Sequence, residues 1–544
     1  MRSLPLSVVS ALLALPVLLV CAEDRYHREA ALPPGRAPPA AEQTAAHWFE
    51  EAQAAIRARR VRTRTYDAAA TNIILFLGDG MSVPTLAAAR ALLGQRHNRT
   101  GEEAQLSFES FPTTGLSKTY CVNAQVADSA CSATAYLCGA KTNNGVVGLT
   151  GAVPRGDCSA AQQSATNLQS IAAWALASGR DAGIVTTTRI THASPAGVFA
   201  RAANRNWESD VDVRADNQDP ATCPDIAHQL VHLSPGNELK VILGGGRREF
   251  LPSTSFDEEG TRGRRTDGRN LIEEWQLDKR ARNVTHEYVW NREQLLNAAE
   301  SMPDYLLGLF EGSHMRYHLE ASPATEPTLA ELTEVAIRSL SRNKKGFFLF
   351  VEGGRIDHAH HDNQVELALD ETIELSEAVA RAAALLPEED TLLVVTADHA
   401  HVMTFSGYSA RGTDVLGPSR NRDRAGVPFM TLSYANGPGF REHNNGTRAD
   451  VTAETNYREL RWRSHVDVPL SSETHGGDDV AVFARGPQHA MFAGLYEQSQ
   501  LPHLMAYAAC VGPGAHACSA AGRLLAAPLA LLVALLAALR LAAA

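Results

Sequence analysis

Residues 346–361, with the sequence GFFLFVEGGRIDHAHH, join an apolar run to a group of acids and histidines. Gly346–Val351 is a short apolar run, which predicts a buried strand. The run leads directly into an acid, two glycines, and then Asp357 and His361. These two residues are spaced i, i+4, so both would lie on one face of a helix that begins there. The pattern predicts a buried strand that ends in a cluster of potential metal ligands.

Comparable apolar runs recur along the chain, and helix-like stretches lie between several of them. Apolar strands that alternate with helices indicate a sheet covered on both faces. We therefore predict an α/β fold with a large central, mostly parallel sheet over residues 61–406 and 471–518. Residues 407–470, rich in Gly, Arg, Asn and Asp, predict a small inserted, crown-like subdomain. The other predicted elements are the strands Asn72–Leu77, Gly183–Thr188, Lys240–Leu243, Thr391–Thr396, Pro428–Tyr434 and Asp479–Phe483, and the helices Thr166–Ser178 and Gln364–Leu386.

Acids and histidines follow several of these strands. Asp79 follows the strand over residues 72–77, Asp398 and His399 follow the strand over 391–396, and His475 lies in a further acidic segment. Because open α/β sheets place ligand sites beyond the carboxyl ends of their strands, these groups point to one crevice. Nitrogen and carboxylate ligands suit zinc, and hard oxygen ligands suit magnesium.

Ser129 is the candidate nucleophile, with Ser132 as a local competitor. Small residues follow Ser129, as they would at the N-terminus of a helix. That end of a helix stabilises an anion, which is what an attacking serine oxygen becomes.

The composition limits the classes of function. Of 544 residues, 44% are hydrophobic and 20% are charged, as expected of a globular protein. The formal net charge of -11 argues against nucleic acid as a partner, because general binding of a polyanion needs positive charge. A local cationic site built by metal ions is compatible with this charge.

Both ends of the chain have features of a secretory protein. Residues 1–22 read as a signal peptide, with an N-terminal membrane anchor as the alternative. A flexible leader over 23–41 and a helical arm over 42–60 follow. Residues 519–544 resemble a glycosylphosphatidylinositol (GPI) attachment signal, with Ser519 as the attachment site and a tail-embedded protein as the alternative.

Glycosylation sequons and cysteines are consistent with the same route. Of eight cysteines, seven remain once Cys21 leaves with the signal peptide, so at least one is unpaired. Cys510 and Cys518 could close a small loop, whereas the residues alone leave the pairing of the others open. The sequons are at Asn98, Asn283 and Asn445.

Taken together, the motifs resemble those of animal alkaline phosphatases. The match runs in order over essentially all of residues 42–518. It implies metal-dependent hydrolysis of phosphate monoesters at alkaline pH, by a homodimer anchored through GPI to the extracellular face of the plasma membrane. The motifs are Gly78-Asp79-Gly80-Met81, Asp128-Ser129-Ala130, His192-Ala-Ser194-Pro-Ala, Asn204-Arg205-Asn206-Trp207, Val351–His358, Thr396–His399 and Glu473-Thr-His475-Gly.

The resemblance implies a role for each matched residue. Three metal ions would share one crevice beside Ser129, with Asp79 bridging two of them. Arg205 would clamp the phosphate, because lysine cannot reproduce its planar fork. His192 and His358 would lie near the metals without being primary ligands. The implied ligands are Asp357, His361 and His475 for one zinc, Asp79, Asp398 and His399 for the second, and Asp79, Ser194 and Glu352 for magnesium.

A structural calcium ion and a disulfide pattern are also implied by the resemblance. The calcium region, about residues 250–330, departs from the family because Glu326 stands where many members have aspartate and the loop before Gly260 is short. The family pairing would leave Cys138 free. Cys121 and Cys131 are not generally present in the family, and our separate hypothesis is that a disulfide between them constrains the nucleophile loop. The implied calcium ligands are Glu259, the Phe310 carbonyl, Glu311 and Glu326, and the implied disulfides are Cys158–Cys223 and Cys510–Cys518.

These observations predict a phosphatase that forms a phosphoserine on Ser129 with two zinc ions and one magnesium ion. A sulfatase or phosphodiesterase of similar architecture is the nearest alternative. No Cys/Ser-x-Pro-x-Arg segment of sulfatases surrounds Ser129, and diesterases usually carry threonine and lack the arginine clamp. The alternative from another class is a non-catalytic surface-binding protein, which would be expected to have lost ligands that are all present here.

Overall fold

The computed structural model describes residues 68–518, with side chains through residue 515. The predicted signal peptide, leader and helical arm (1–60) lie outside the described residues, as does the attachment signal with Ser519 (519–544). Within the described part of the chain, no helix is both long enough and apolar enough to cross a membrane.

Strands alternate with helices along much of the described chain. The strands are, in chain order, β1 (Asn72–Gly78), β2 (Thr113–Lys118), β3 (Asp181–Arg189), β4 (Val241–Gly245), β5 (His286–Val289), β6 (Tyr305–Leu309), β7 (Phe347–Gly353), β8 (Thr391–Ala397), β9 (Ala400–His401), β10 (Met403–Phe405), β11 (Pro418–Arg422), β12 (Pro428–Met430), β13 (Leu432–Gly437), β14 (Val466–Pro469), β15 (His475–Gly476), β16 (Val480–Arg485) and β17 (Gly494–Glu497). The α-helices are Val83–Arg96, Ser129–Cys138, Cys158–Ala161, Ile171–Ala177, Ala193–Ala196, Asp210–Ala215, Ile226–His232, Leu271–Ala281, Arg292–Ser301, Leu329–Leu340, Arg355–His361, Val365–Leu385 and Leu501–Ala509.

A ten-stranded sheet forms the centre of the molecule, in the order β17-β2-β16-β8-β1-β7-β3-β4-β6-β5. From β8 to β5, each strand runs parallel to its neighbours. β16 is antiparallel to both β8 and β2, and β17 is parallel to β2. The central, mostly parallel sheet predicted from the sequence is therefore confirmed.

The strand β1 shows how this sheet is covered. Its residues are buried throughout, and successive side chains point to opposite faces. Ile73 packs into one apolar layer with Trp174 of a flanking helix, whereas Ile74 packs into the second layer with Leu86 of another. Burial of each large apolar side chain contributes about 1.5–3 kcal/mol. Helices therefore cover both faces, as the continuous apolar runs predicted.

The region over 403–469 contributes no strand to the central sheet. It forms a three-stranded sheet, β10-β13-β14, and a two-stranded sheet, β11-β12. The strand predicted over Pro428–Tyr434 is split between these two sheets. The split falls at Thr431, whose N–H donates to the Gly417 carbonyl instead of extending a strand.

Candidate active site

The carboxyl ends of the adjacent parallel strands β8, β1, β7 and β3 form one edge of the site. Gly78 at the end of β1 is in register with Gly353 of β7 and Ala397 of β8. The next residues after β1 and β8 are Asp79 and Asp398, and both are fully buried. Parallel pairing thus brings together two carboxylates that are far apart in the sequence.

A glycine turn carries the chain out of β1. Gly80 has a φ of +68°, in the left-handed region that favours glycine. A Cβ at this position would collide with the His401 ring. The Gly80 N–H donates to Asp398 Oδ1 at 2.9 Å, which ties the two strand ends together.

The first ligand group comprises Asp357, His361 and His475. His361 Nε2 is 3.4 Å from Asp357 Oδ1 and 3.1 Å from His475 Nε2. His475 Nε2 is 3.3 Å from the same Asp357 oxygen. Donor atoms about 2.0–2.1 Å from a tetrahedral zinc ion are about 3.3 Å apart. The three donors therefore have the spacing of a tetrahedral metal site.

Hydrogen bonds show where the two imidazoles of this group carry their protons. Nδ1 of His361 is 2.6 Å from the Glu473 carbonyl oxygen, and Nδ1 of His475 is 2.8 Å from the Ala127 carbonyl oxygen. Because a carbonyl oxygen only accepts, both Nδ1 atoms donate, and burial lowers the pKa of His361, which favours a neutral ring. In neutral rings both Nε2 atoms present lone pairs to each other across 3.1 Å. A cation between them would remove this repulsion.

His401 and Glu473 extend the group, although no role was predicted for either residue. His401 Nε2 is 2.7 Å from Asp357 Oδ1, and its Nδ1 contacts the Glu473 carboxylate. Burial lowers the pKa of His401, but the two carboxylates outweigh this and raise it to about 10. The available signal was spacing: His401 lies two residues after His399, Glu473 lies two before His475, and β9 pairs with β15.

The second ligand group comprises Asp79, Asp398 and His399, all fully buried. His399 Nε2 is 3.1 Å from Asp398 Oδ2 and 3.6 Å from Asp79 Oδ1. Burial raises the pKa values of both carboxyls and lowers that of His399. Ser129 Oγ is 3.3 Å from the same His399 nitrogen, so the candidate nucleophile borders this group.

Asp79 also belongs to the third ligand group, with Ser194 and Glu352. Ser194 Oγ donates to Asp79 Oδ2 at 3.4 Å, and Glu352 Oε2 accepts from the hydroxyls of Thr186 and Thr188. Asp79 Oδ1 and Glu352 Oε1 are buried without a hydrogen-bond partner among the described residues. Burial raises the pKa of Glu352 to about 7. A bound cation would satisfy these orphaned oxygens. We call the three ligand groups together the metal pocket.

One carboxylate links the candidate nucleophile to the predicted phosphate clamp. Ser129 is the first residue of its helix, and Asp128 is the N-cap. Asp128 Oδ2 is 3.0 Å from Arg205 Nη1, and its Oδ1 accepts from backbone N–H groups of the helix and the following loop. Burial raises the pKa of Asp128, but Arg205 outweighs this and lowers it. The hydroxyl of the competitor Ser132 donates to the Asp128 carbonyl within the helix at 3.0 Å and is 3.4 Å from Asp398 Oδ2.

His192 and His358 lie together beside the metal pocket, with His314 as a third ring that the sequence did not single out. The ring centre of His192 is 5.2 Å from that of His314 and 5.4 Å from that of His358. The ring centres of His314 and His358 are 4.3 Å apart. We call these three residues the histidine cluster. No feature of the sequence near His314 identified it, because it contacts the others only through the fold.

Two of the predicted calcium ligands contact a buried arginine. Arg247 donates to the Glu259 carboxylate, and its Nη2 is 3.3 Å from the Phe310 carbonyl oxygen. Its side chain is fully buried. A guanidinium group therefore already contacts two acceptors that the resemblance assigns to calcium.

The other two predicted calcium ligands contact Arg316. Its Nε is 2.9 Å from Glu311 Oε1, and its backbone N–H donates to Glu326 Oε1 at 2.7 Å. Burial raises the pKa of Glu326 to about 7. The acidic groups lie in one region, and their binding of calcium stays a prediction.

The cysteines form two disulfides with described partners, Cys121–Cys131 and Cys158–Cys223. Cys138 is a buried free thiol. Cys510 is disulfide-bonded, and the side chain of its predicted partner, Cys518, lies outside the described residues. The sequon asparagines are exposed, at Asn98, Asn283 and Asn445.

Comparisons with known proteins agree with one another. The family model for alkaline phosphatase matches residues 70–511. The chain is 65% identical over 510 residues to the membrane-bound alkaline phosphatase of Bombyx mori, covering 92% of each protein. It is 43% identical over 506 residues to the tissue-nonspecific isozyme of alkaline phosphatase from Homo sapiens, covering 91% of this chain and 95% of that protein. The solved alkaline phosphatase of Thermus thermophilus shares the fold, with a TM-score of 0.57 at 24% identity over 82% of this chain and 92% of that one.

Proposed function

Because the chain belongs to the alkaline phosphatase family, we propose that it hydrolyses phosphate monoesters at alkaline pH through a phosphoserine on Ser129. Ser129 Oγ would form a bond to phosphorus while the bond from phosphorus to the leaving alcohol breaks. Water would then cleave the phosphoserine, which releases inorganic phosphate and restores the serine hydroxyl. The alcohol and the phosphate would leave in separate steps.

The metal pocket fits two zinc ions and one magnesium ion. Its first and second groups combine imidazole with carboxylate, a donor set that suits zinc, whereas the third offers only oxygen, which suits magnesium. When bound, such ions lower the pKa of the serine hydroxyl and stabilise charge on the leaving oxygen. Asp79 would be a ligand of two ions, which is consistent with a buried Oδ1 that has no hydrogen-bond partner among the described residues.

Residues of the chain itself prepare Ser129 for attack. Its position at the start of a helix favours negative charge on Oγ, because backbone N–H groups point towards the N-terminus. Only 1% of its surface is exposed, so little bulk water reaches the nucleophile. Asp128 fixes the turn that presents it, through the N-cap hydrogen bond.

Arg205 would bind the transferring phosphoryl group. Its Nη1 is held by Asp128 at 3.0 Å, so the planar guanidinium is oriented before substrate arrives. A guanidinium has five N–H donors, which leaves donors for two nonbridging oxygens. Burial lowers the pKa of Arg205, but Asp128 and other acids outweigh this and raise it, so the group stays charged at alkaline pH.

The observation that carries the proposal is the pair of opposed imidazole nitrogens in the first ligand group. His361 Nε2 and His475 Nε2 are 3.1 Å apart, and each Nδ1 is committed as a donor to a carbonyl. A metal ion between the two Nε2 atoms would accept a lone pair from each ring. This arrangement supports the proposal of a metal ion next to a serine at a helix N-terminus.

The test is hydrolysis of a chromogenic aryl phosphate by the purified protein between pH 7 and 10. With zinc and magnesium present, we expect fast turnover that rises with pH and is lost on chelation. Ser129→Ala should abolish it, whereas Ser132→Ala should retain most of it. Turnover that survives chelation or loss of Ser129 would contradict the proposal.

We also infer that the protein is held at the extracellular face of the plasma membrane by GPI and acts as a homodimer. The Bombyx mori relative is named membrane-bound, and the predicted signals at 1–22 and 519–544 support the anchor. Treatment of expressing cells with a phosphatidylinositol-specific phospholipase should release the activity. Light scattering of the released protein should give twice the mass of one chain, and retention on the cells would argue for a tail-embedded protein.

A further inference from the structure

A cavity lies between the helix Val365–Leu385, the start of the helix Leu329–Leu340 and the segment over residues 315–318. Its volume is about 160 Å³. One water molecule needs roughly 10–15 Å³, so the cavity has room for a small organic molecule. None of its lining residues belongs to the metal pocket or to the histidine cluster. We call it the acidic cavity, after the three glutamates that line it, Glu326, Glu371 and Glu374.

The acidic cavity has apolar walls and runs from the surface to a buried end. Met315, Pro327 and Leu329 line it and are buried, whereas Pro323 and His318 line it and are exposed. Apolar walls favour the burial of an apolar group. A ligand could therefore enter from the exposed side and place an apolar stem against the buried side chains.

Glu371 brings a carboxylate to the buried part of this cavity. Its side chain is only 2% exposed, and Glu374, three residues later, lies on the same face of the helix and is half-buried. Burial raises the pKa of Glu371 to about 8, although the nearby charge of Arg355 lowers it in part. Arg355 therefore does not fully offset the cost of burying this carboxylate.

Only one oxygen of each buried glutamate is hydrogen-bonded. Glu371 Oε1 accepts from the backbone N–H of His318 at 2.7 Å, and Glu326 Oε1 accepts from that of Arg316 at 2.7 Å. No hydrogen bond to either Oε2 is seen within residues 68–518, and the Arg316 Nε is 4.0 Å from Oε2 of Glu326. Each carboxylate thus keeps an oxygen that can accept from a ligand.

The basic side chains of the cavity already have acidic partners. Arg316 Nε is 2.9 Å from Glu311 Oε1. His318 Nδ1 is 2.8 Å from Asp370 Oδ2, and its Nε2 is 3.4 Å from Glu374 Oε1. Neither basic side chain forms an ion pair with Glu371, which favours a positively charged ligand at that carboxylate.

The arrangement of the acids distinguishes an organic cation from a metal ion. In the metal pocket, ligand atoms of three residues lie within 4.8 Å of one another, but the glutamates of the acidic cavity form no such group. Calcium needs about 6–8 oxygen ligands around one point. Separated carboxylates beside apolar walls instead suit a ligand with an N–H-bearing charge and an apolar stem.

We propose that the acidic cavity binds a small organic cation, with its ammonium group at Glu371 and its apolar stem against Met315 and Leu329. The ammonium N–H groups would donate to the oxygen of Glu371 that has no other donor, and Glu374 would add negative charge nearer the surface. This site is independent of the proposed function, because binding here requires neither Ser129 nor turnover.

The experiment measures binding of n-butylammonium to the metal-loaded protein at pH 9 by titration calorimetry, with n-butanol as the neutral probe of similar shape. An alkylammonium is charged at this pH, as lysine is with its pKa of about 10.4. We expect n-butylammonium to bind and n-butanol not to. Glu371→Gln should raise Kd roughly tenfold, because a charge-assisted hydrogen bond is lost. The exposed Glu389→Gln is the matched control and should leave Kd unchanged.

Three results would overturn the site. Equal binding of n-butanol would mean that the cavity is merely apolar, and an unchanged Kd in Glu371→Gln would place the cation elsewhere. Competition by calcium would assign the cavity to the predicted calcium region, with which it shares Glu326. If Glu371→Gln does not fold, Glu374→Gln provides the test on a half-buried side chain and should raise Kd severalfold, whereas an unchanged Kd there would then reject the site.

Discussion

The metal pocket and the histidine cluster both contain several histidines, and they differ in the groups that contact the imidazole nitrogens. In the pocket, His361 and His475 donate from Nδ1 to carbonyl oxygens, so their lone pairs face inward. In the cluster, His192 and His358 accept from arginines, so their free nitrogens carry protons. The partner of the outer nitrogen decides whether an imidazole offers a lone pair or an N–H group.

The carboxylates of the metal pocket also differ from those beside the histidine cluster. The pocket concentrates four carboxylates, Asp79, Glu352, Asp357 and Asp398. Asp79 and Glu352 each have a buried oxygen without a hydrogen-bond partner among the described residues, and the pKa values of Asp79, Glu352 and Asp398 are raised. Beside the histidine cluster, the carboxylates Asp128 and Glu208 pair with arginines. A count of histidines alone would class both places as metal sites. Their hydrogen-bond partners differ, because carbonyl oxygens face the outer nitrogens in the pocket and arginines face the histidines of the cluster.

The largest expected effect comes from removing a pocket carboxylate. Asp357→Ala should lower turnover by roughly 10³-fold or more, because it removes a metal ligand and leaves His401 without one of its two acceptors. Elemental analysis should show about one metal ion fewer per chain. His314→Asn is the matched change in the cluster and should retain the full metal content. Equal metal loss in Asp357→Ala and His314→Asn would mean that the metal pocket and the histidine cluster do not differ in metal binding.

A smaller effect is expected from changing Arg205, which contacts Asp128 beside the nucleophile and His192 of the histidine cluster. Arg205→Lys keeps the charge but removes the planar fork that spans Asp128, His192 and the phosphoryl group. We expect kcat/KM for an aryl phosphate to fall by about 10²-fold. Arg381→Lys serves as the control, and wild-type activity of Arg205→Lys would show that charge alone suffices.

The disulfides allow a third comparison, between a short loop around the nucleophile and a long loop that contains Arg205. Cys121–Cys131 spans 10 residues and ends two residues after Ser129, whereas Cys158–Cys223 spans 65 residues and lies farther along the chain from its site residue Arg205. Replacing either pair with serine should cost about 2–4 kcal/mol of stability. Thermal unfolding and kcat are the measurements, and the Cys121/Cys131 double variant should lower kcat of the folded enzyme more than the Cys158/Cys223 double variant does. An equal effect of both double variants on kcat would mean that the shorter loop has no specific role in positioning Ser129.

The smallest effect concerns Glu371, a buried carboxyl outside both places. Burial raises its pKa to about 8, so the folded state holds a proton that the unfolded state releases near its ordinary pKa of 4.5. Its contribution to stability is therefore full below pH 4.5 and is lost as the pH rises through about 8. Glu371→Gln should raise the unfolding temperature at pH 9 by a few degrees and change it little at pH 5. Exposed Glu389→Gln is the control, and a pH-independent shift in Glu371→Gln would contradict the assignment.

Much of the fold was predictable because the central strands are continuous apolar runs. The strand predicted over Gly346–Val351 is β7, and that over 391–396 is β8, each within a residue or two. The strand β2 escaped prediction, since its sequence TTGLSK alternates buried and exposed positions without an apolar run. The polar strand β5, with sequence HEYV, escaped for a similar reason. β5 is an edge strand and β2 lies next to the opposite edge, where strands carry weaker patterns than the central strands, which are buried on both faces.

Site residues next to strand ends were predictable, and those joined only by tertiary contacts were not. Asp357 and His361 share a motif with β7, and the resemblance extended the set to the other pocket ligands. His314 contacts the site through packing that no spacing in the sequence encodes. Arg247 likewise reaches the predicted calcium ligands across the fold, so the sequence could not indicate that it contacts them.

The most direct test of the account is to identify the residue that carries the phosphoryl group during turnover. The metal-loaded enzyme would be mixed with an aryl phosphate, quenched in acid, digested and mapped by mass spectrometry. The account predicts one added phosphoryl group on Ser129 in the wild type, and none in Ser129→Ala or in chelated enzyme. A phosphoryl group on Ser132 or on a histidine, or turnover with no phosphorylated residue, would contradict it.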